Sequence, residues 1–263
     1  MLNAFLIALQ FLTRLPLPAN LTRDVHTDPD MLARSVLTYP LVGAVIGLML
    51  VAILFLLYWW LPYTRPLVAA GIILLAWVLL TGALHLDGLS DSADAWVGGY
   101  GDPERSLAIM KDPYCGPAGV SIIVVVLLAK FAALTTVLTQ NWLYVLLVPV
   151  MARAAIIVLF LSTPYVRKEG IGASHAEHLS RKGAYVVLTL TGLFCFYLLG
   201  FKFVWLLCVL SVVFLLLRYL MMKRIGGTTG DTAGAMVELI ELVGLLALAI
   251  IYPSVSPPPS GEG

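Results

Sequence analysis

Seven apolar runs constrain this chain more than any other feature. They cover residues 36–61, 67–86, 118–139, 142–162, 184–200, 202–222 and 236–252. A helix needs roughly 20 mostly apolar residues to cross the hydrocarbon of a bilayer. The fifth run is short, and at Gly200 to Lys202 it meets the sixth so closely that the two must form a hairpin. Composition agrees with the runs. Hydrophobic residues make up 60% of the 263 and charged residues 12%, where a soluble domain carries about 25% charged. One core of this size cannot hide so much apolar surface, so lipid must be the solvent. The expected fold is all-α: a polytopic membrane bundle of about seven transmembrane helices, organised as one catalytic domain over 1–252. The first apolar stretch, FLIALQFLTRLPLP, is too short to span and reads as an interfacial or re-entrant helix. It lacks the basic region that a cleavable signal needs in front. The tail 253–263, rich in Pro, Ser and Gly, reads as disordered. No internal repeat is visible.

Lys and Arg set the orientation. With the N-terminus inside, twelve of the sixteen fall in cytoplasmic segments and only Arg65 and Lys202 lie opposite; Lys130 and Arg153 lie within runs. This brings the segments 87–117, 163–183 and 223–235 to one membrane face. The net charge of +1 gives no case for nucleic acid as a partner. The three cysteines, Cys115, Cys195 and Cys208, lie in or near apolar runs and read as small hydrophobes.

The chemistry is concentrated in HLDGLSDSADAWVGGYGDPERSLAIM, from His85 to Met110. Asp87, Asp91 and Asp94 stand at steps of four and three. On a helix they fall within an arc of roughly 60°. Three acids on one face repel one another unless a cation sits among them, and Mg²⁺ takes such oxygen ligands while bridging to phosphate. The bland alternative is a solvated helix with its acids on the wet side. An acidic helix that directly follows an apolar run lies at the membrane edge, where polar residues tend to be functional.

Downstream, Arg105, Lys111 and Asp112 are candidates for phosphate and metal contacts. The segment RIGGTTGDTAGAMVELIEL holds Gly226, Gly227 and Gly230 ahead of Asp231, which opens the last helix. A glycine-rich turn feeding a helix N-terminus is a phosphate seat; no Gly-Lys-Ser/Thr follows, so it is not a P-loop. Lys130 and Arg153 sit mid-run and must find an acid or a phosphate inside the bundle. They hold either the substrate phosphates or Glu238 and Glu241. His175, Glu177 and His178 have zinc-like spacing, but no third ligand is near, so 163–183 reads as a substrate-facing loop.

These blocks resemble the adenosylcobinamide-GDP ribazoletransferases, the cobalamin synthases. The likeness rests on FLTRLPLP (Phe11 to Pro18), YPLVG (Tyr39 to Gly43), GALHLDGLSDSADAW (Gly82 to Trp96), LAIMKD (Leu107 to Asp112), RKEGIG (Arg167 to Gly172) and GGTTGDTAGA (Gly226 to Ala235), in the family's order. Tyr114-Cys115 departs from the small or basic residues more common before Gly116. The resemblance implies a multi-pass enzyme of the bacterial cytoplasmic membrane with its site facing the cytoplasm. A hydroxyl of α-ribazole, or of its 5′-phosphate, attacks the phosphate of adenosylcobinamide-GDP next to the cobinamide. GMP leaves, and adenosylcobalamin or its 5′-phosphate forms, with Mg²⁺ as cofactor.

On this reading Asp87, Asp91 and Asp94 bind the metal. Asp91, Asp94 or Asp231 takes the proton. His85, Arg105, Lys111, Asp112, Lys130, Arg153, Gly227 and Gly230 contact substrate. A wide cytoplasmic cavity is expected, not a deep lipid-side groove. Besides its substrates and the lipid bilayer, a homo-oligomeric partner stays open.

The acid spacing also resembles that of the CDP-alcohol phosphotransferases, but their Asp-Gly-x-x-Ala-Arg core is absent at Asp87 to Ser92. A secondary transporter would use Lys130, Arg153, Glu238 and Glu241 as an ion path. Transporters commonly show repeats and a midplane site, which the crowding of acids at one face does not match. A non-catalytic scaffold needs no acidic face at all.

Overall fold

The computed structural model describes residues 1–16, 28–167 and 178–251, and within them every regular element is a helix. Eleven helices are described: α1 (Leu2–Leu12), α2 (Pro29–Val36), α3 (Tyr39–Trp60), α4 (Pro66–Thr81), α5 (Leu84–Gly98), α6 (Pro103–Ile109), α7 (Pro117–Gln140), α8 (Leu143–Ser162), α9 (Arg181–Leu199), α10 (Phe201–Ile225) and α11 (Gly230–Ile251). Six of them, α3 and α7 to α11, are long and apolar enough to cross a membrane; α4 and α5 together make a seventh only as a bent pair. His175, Glu177 and most of the RKEGIG block fall on residues 168–177, and the tail on 252–263, outside the described residues; His178 is described and exposed.

The second apolar run is therefore not one straight span. The chain breaks between Thr81 and Leu84 and turns by 85°. Gly82 and Ala83 both take left-handed backbone, with φ of 61° and 58°. The amides of Gly82 and Ala83 close the helix end on the carbonyls of Leu79 and Val78, a left-handed stop. The Arg14 amide takes the Leu80 carbonyl, and a Cβ at Gly82 would fall 2.3 Å from the Arg14 Cγ. Hydropathy continues through the break because the residues on either side remain apolar. The turn is set by two backbone torsions that hydropathy does not register.

α8 and α11 form the centre, with 61% of each apolar window buried, against 17% for α9 and 22% for α10. α3 lies against α8 through a Gly-x-x-x-Gly pair. A Cβ at Gly43 would fall 2.5 Å from the Pro149 carbonyl oxygen, and one at Gly47 equally close to that of Leu146. Small residues at this spacing let membrane helices approach backbone to backbone. α1 does not span. It buries Ala4, Ile7, Ala8, Leu9 and Leu12 against the bundle. The hairpin at Gly200 is present, with φ of 60° at that residue.

Candidate active site

α5 carries the acidic motif and α11 begins in the glycine-rich one. The two helices cross in backbone contact. A Cβ at Gly88 would fall 2.6 Å from the Asp231 carbonyl oxygen, and one at Gly234 3.4 Å from the His85 Cα. The crossing brings Asp87 and Asp91 beside Asp231, although more than 130 residues separate them in sequence. Gly88→Ala must push the helices apart, because the obstructing atom is backbone. It is expected to cost about 1–3 kcal/mol of stability and about tenfold to a hundredfold in turnover. Thermal unfolding in detergent and turnover measured on one preparation check both.

Asp91 is half-buried, and Asp87 is exposed. Neither carboxylate has a hydrogen bond or ion pair among the described residues. Burial, reinforced by the charges of Asp87, Asp231 and Asp94, pushes the Asp91 pKa up to about 6, against the pull of Arg167. Among the described residues, no group of three or more Asp, Glu, His or Cys is arranged to hold a metal by itself. The acidic face still fits Mg²⁺, which usually binds through one or two carboxylates and completes its shell with water and substrate phosphate.

Asp94 has a different surrounding from its two neighbours. One oxygen accepts the Gly116 amide at 2.7 Å and the other the Gly119 amide at 2.9 Å. Gly116 caps α7 without a side-chain acceptor of its own, so Asp94 supplies the cap from another helix. Both glycines are needed there, since a Cβ on either would fall 2.5 Å from an Asp94 oxygen. Asp94 thus anchors the 110–117 segment, while Asp87 and Asp91 remain open.

The charge nearest Asp231 comes from Arg167, whose Nη2 donates to the Asp231 carboxylate at 2.7 Å and to the Met110 carbonyl at 3.4 Å. Both side chains are about one-fifth to one-quarter exposed. Sequence reasoning does not single out Arg167, because it stands in a basic segment that also satisfies the positive-inside rule; its place in the RKEGIG block is the signal that marks it. Backbone pairing carries it to the site: the Thr228 amide donates to the Pro164 carbonyl and the Val166 amide to the Thr228 carbonyl, each at 2.9 Å. Burial raises the pKa of Tyr165, the residue between them.

That pairing also corrects the reading of the glycine-rich turn as an open phosphate seat. The Thr228 amide is consumed, the Thr229 amide donates to the Thr232 hydroxyl at 2.8 Å, and all three threonine side chains are buried. Gly227 is a packing glycine, since a Cβ would fall 2.3 Å from the Pro164 carbonyl oxygen. Gly226 and Gly230 are the exposed glycines of the turn, Gly230 at the start of α11.

Lys130 and Arg153 likewise do not reach out to a phosphate. Lys130 donates to Glu238 at 2.5 Å and Glu241 at 2.7 Å, and Arg153 pairs with Glu241, all buried. His85 is buried beside this cluster, its Nδ1 without a hydrogen-bond partner among the described residues. Arg105, Lys111 and Asp112 are all exposed. Arg105 lies 5.1 Å over the Tyr100 ring, and Asp112 accepts the Tyr114 amide at 3.0 Å.

The chain is similar over nearly its whole length to proteins of one kind. The profile of the cobalamin-5-phosphate synthases matches residues 4–249. The adenosylcobinamide-GDP ribazoletransferase of Pseudomonas entomophila strain L48 is 53% identical over 252 residues, covering 94% of this chain and 98% of that protein. Those of Pseudomonas syringae pv. syringae strain B728a and Stutzerimonas stutzeri strain A1501 are 51% and 50% identical, over 94% and 93% of this chain and 99% and 97% of theirs. No solved structure matches.

Proposed function

The chain belongs to the cobalamin-5-phosphate synthase family, and on that premise we propose that it is an adenosylcobinamide-GDP ribazoletransferase with its active site at the α5–α11 crossing. It faces the cytoplasm from the bacterial inner membrane. It joins adenosylcobinamide-GDP to α-ribazole or α-ribazole 5′-phosphate. The observation that supports this location is the backbone contact of Gly88 with Asp231, which sets the open carboxylates of Asp87 and Asp91 beside the Arg167–Asp231 pair.

The reaction exchanges one phosphoanhydride for one phosphodiester. The ribazole hydroxyl oxygen bonds to the phosphorus next to cobinamide, the bond to the GMP oxygen breaks, and the hydroxyl proton is lost to a base. Asp87 and Asp91 would hold Mg²⁺, which when bound neutralises charge on the diphosphate and its leaving oxygen. Arg167 binds the diphosphate by its planar fork of donors. Phosphate and Asp231 compete for the same guanidinium, so substrate binding draws Arg167 away and leaves Asp231 free to accept the proton. Asp94 holds the 110–117 segment, and with it Lys111 and Asp112, against the end of α7.

The test uses purified protein in liposomes with adenosylcobinamide-GDP and α-ribazole, following GMP and the new corrinoid by chromatography. Equal amounts of both products are expected with Mg²⁺, and neither after chelation with EDTA. Products that persist in EDTA would remove the metal from the reading. Arg167→Lys keeps the charge but loses the fork; kcat is expected to fall about tenfold to a hundredfold. An unchanged kcat would show that Arg167 serves only as a structural partner of Asp231.

A further inference from the structure

α8, α9 and α10, with Ile240 of α11, line a partly open groove of about 520 Å³ with an almost wholly apolar lining. Its walls include Ala154 and Val158 on α8, Gly192 on α9, and Leu207, Phe214 and Leu215 on α10. It stands apart from the acidic face, and nothing in the transferase reaction uses it. Small residues make it: a Cβ at Gly192 would meet nothing within 4 Å.

One end of the groove is strongly basic. Arg218 lies one turn beyond Phe214 and bridges to the end of α8, its Nε donating to the Thr163 hydroxyl at 3.1 Å and its Nη2 to the Ser162 carbonyl at 2.6 Å. A guanidinium has five N–H donors, so donors remain after these bonds. Because α9 and α10 form a hairpin, the first turn of α9 lies at the same end as the last turns of α10. Arg181 and Lys182 therefore join Arg218, Lys223 and Arg224 there, and the three helices contain no Asp or Glu. The lining reaches Phe203, fifteen residues from Arg218, or about 22 Å along the helix. That lies within the roughly 30 Å hydrocarbon thickness and is long enough for much of an acyl chain.

We propose that this flank binds one anionic phospholipid of the bilayer, with its phosphate at Arg218 and one acyl chain in the groove. A basic cluster with no salt bridge among the described residues, at the membrane surface, attracts anionic headgroups, and the apolar groove running inward from it takes the chain beneath such a headgroup. A second copy of the protein would bring the same basic end against its own, since these helices offer no acid to meet it.

The full-length protein is reconstituted in nanodiscs of phosphatidylcholine and phosphatidylglycerol, and lipids retained per chain are counted by native mass spectrometry. Wild type is expected to retain one phosphatidylglycerol, at least tenfold in preference to phosphatidylcholine. Gly192→Leu, which grows into open space, should lower that occupancy at least tenfold. Ala154→Leu should do the same from the opposite wall. Arg218→Gln should keep a lipid but lose the preference. Equal retention in wild type and both groove-filling variants overturns the proposal. So does a wild-type dimer that the filling variants disperse, which would give the groove to a second copy. GMP release is not the readout, so failure of the assigned reaction would leave this result standing.

Discussion

Asp91→Ala will yield a folded, membrane-inserted protein whose Mg²⁺-dependent GMP release is slower by about 10³-fold or more. The size of the effect follows from position. Asp91 is the acid that shares the crossing with Asp87 and Asp231, and its carboxylate has no hydrogen bond or ion pair among the described residues. Removing it relieves repulsion within the cluster, so stability should hold or rise while chemistry is lost. Asp94→Ala should show the reverse balance. That change leaves the Gly116 and Gly119 amides without their acceptor. It should cost roughly 1–2 kcal/mol as a lost cap and reduce turnover less than Asp91→Ala. Single-turnover GMP release beside thermal unfolding separates the two. An Asp91→Ala enzyme with wild-type turnover would move the metal and the chemistry off this face.

Glu241→Gln will destabilise the bundle by about 3–5 kcal/mol, the usual consequence of removing one partner from a buried ion pair. Lys130, Arg153, Glu238 and Glu241 balance to zero net charge inside α7, α8 and α11. Neutralising Glu241 leaves Arg153, which is fully buried, without its carboxylate. Arg153→Met in the same chain restores the balance, with Lys130 still paired to Glu238, so the double variant should regain most of the lost stability. Thermal midpoints of the single and double variants in detergent check this. A Glu241→Gln protein as stable as wild type would show that the network contributes nothing to holding the helices together.

Much of the architecture was legible in the chain because hydropathy is local. The spans α3, α7, α8, α9, α10 and α11 fall on the apolar runs, and the α9–α10 hairpin falls on Gly200. The steps from Asp87 to Asp91 to Asp94 put three acids on one helix face, and α5 is a helix over all three. The kink at Gly82–Ala83 was not legible, because the run continues across it and only the backbone torsions turn. The division of labour among the three acids was hidden for a similar reason. Periodicity places Asp94 with Asp87 and Asp91, whereas the amides that occupy it belong to Gly116 and Gly119, which arrive from the next segment.

By itself the sequence determined that this chain lives in lipid, that its acids gather on α5 ahead of the third apolar run, and that its motif blocks resemble one family. Each of these depends on residues within a few turns of one another. Tertiary structure alone decided which charges meet. Lys130 lies 108 and 111 positions from its two glutamates, Arg153 lies 88 from Glu241, and Arg167 lies 64 from Asp231. A cation in an apolar run must find a partner, because hydrocarbon solvates no charge. Whether that partner is a carboxylate or a substrate phosphate depends on which helices pack together, and the glycines at the α5–α11 crossing settle part of that packing.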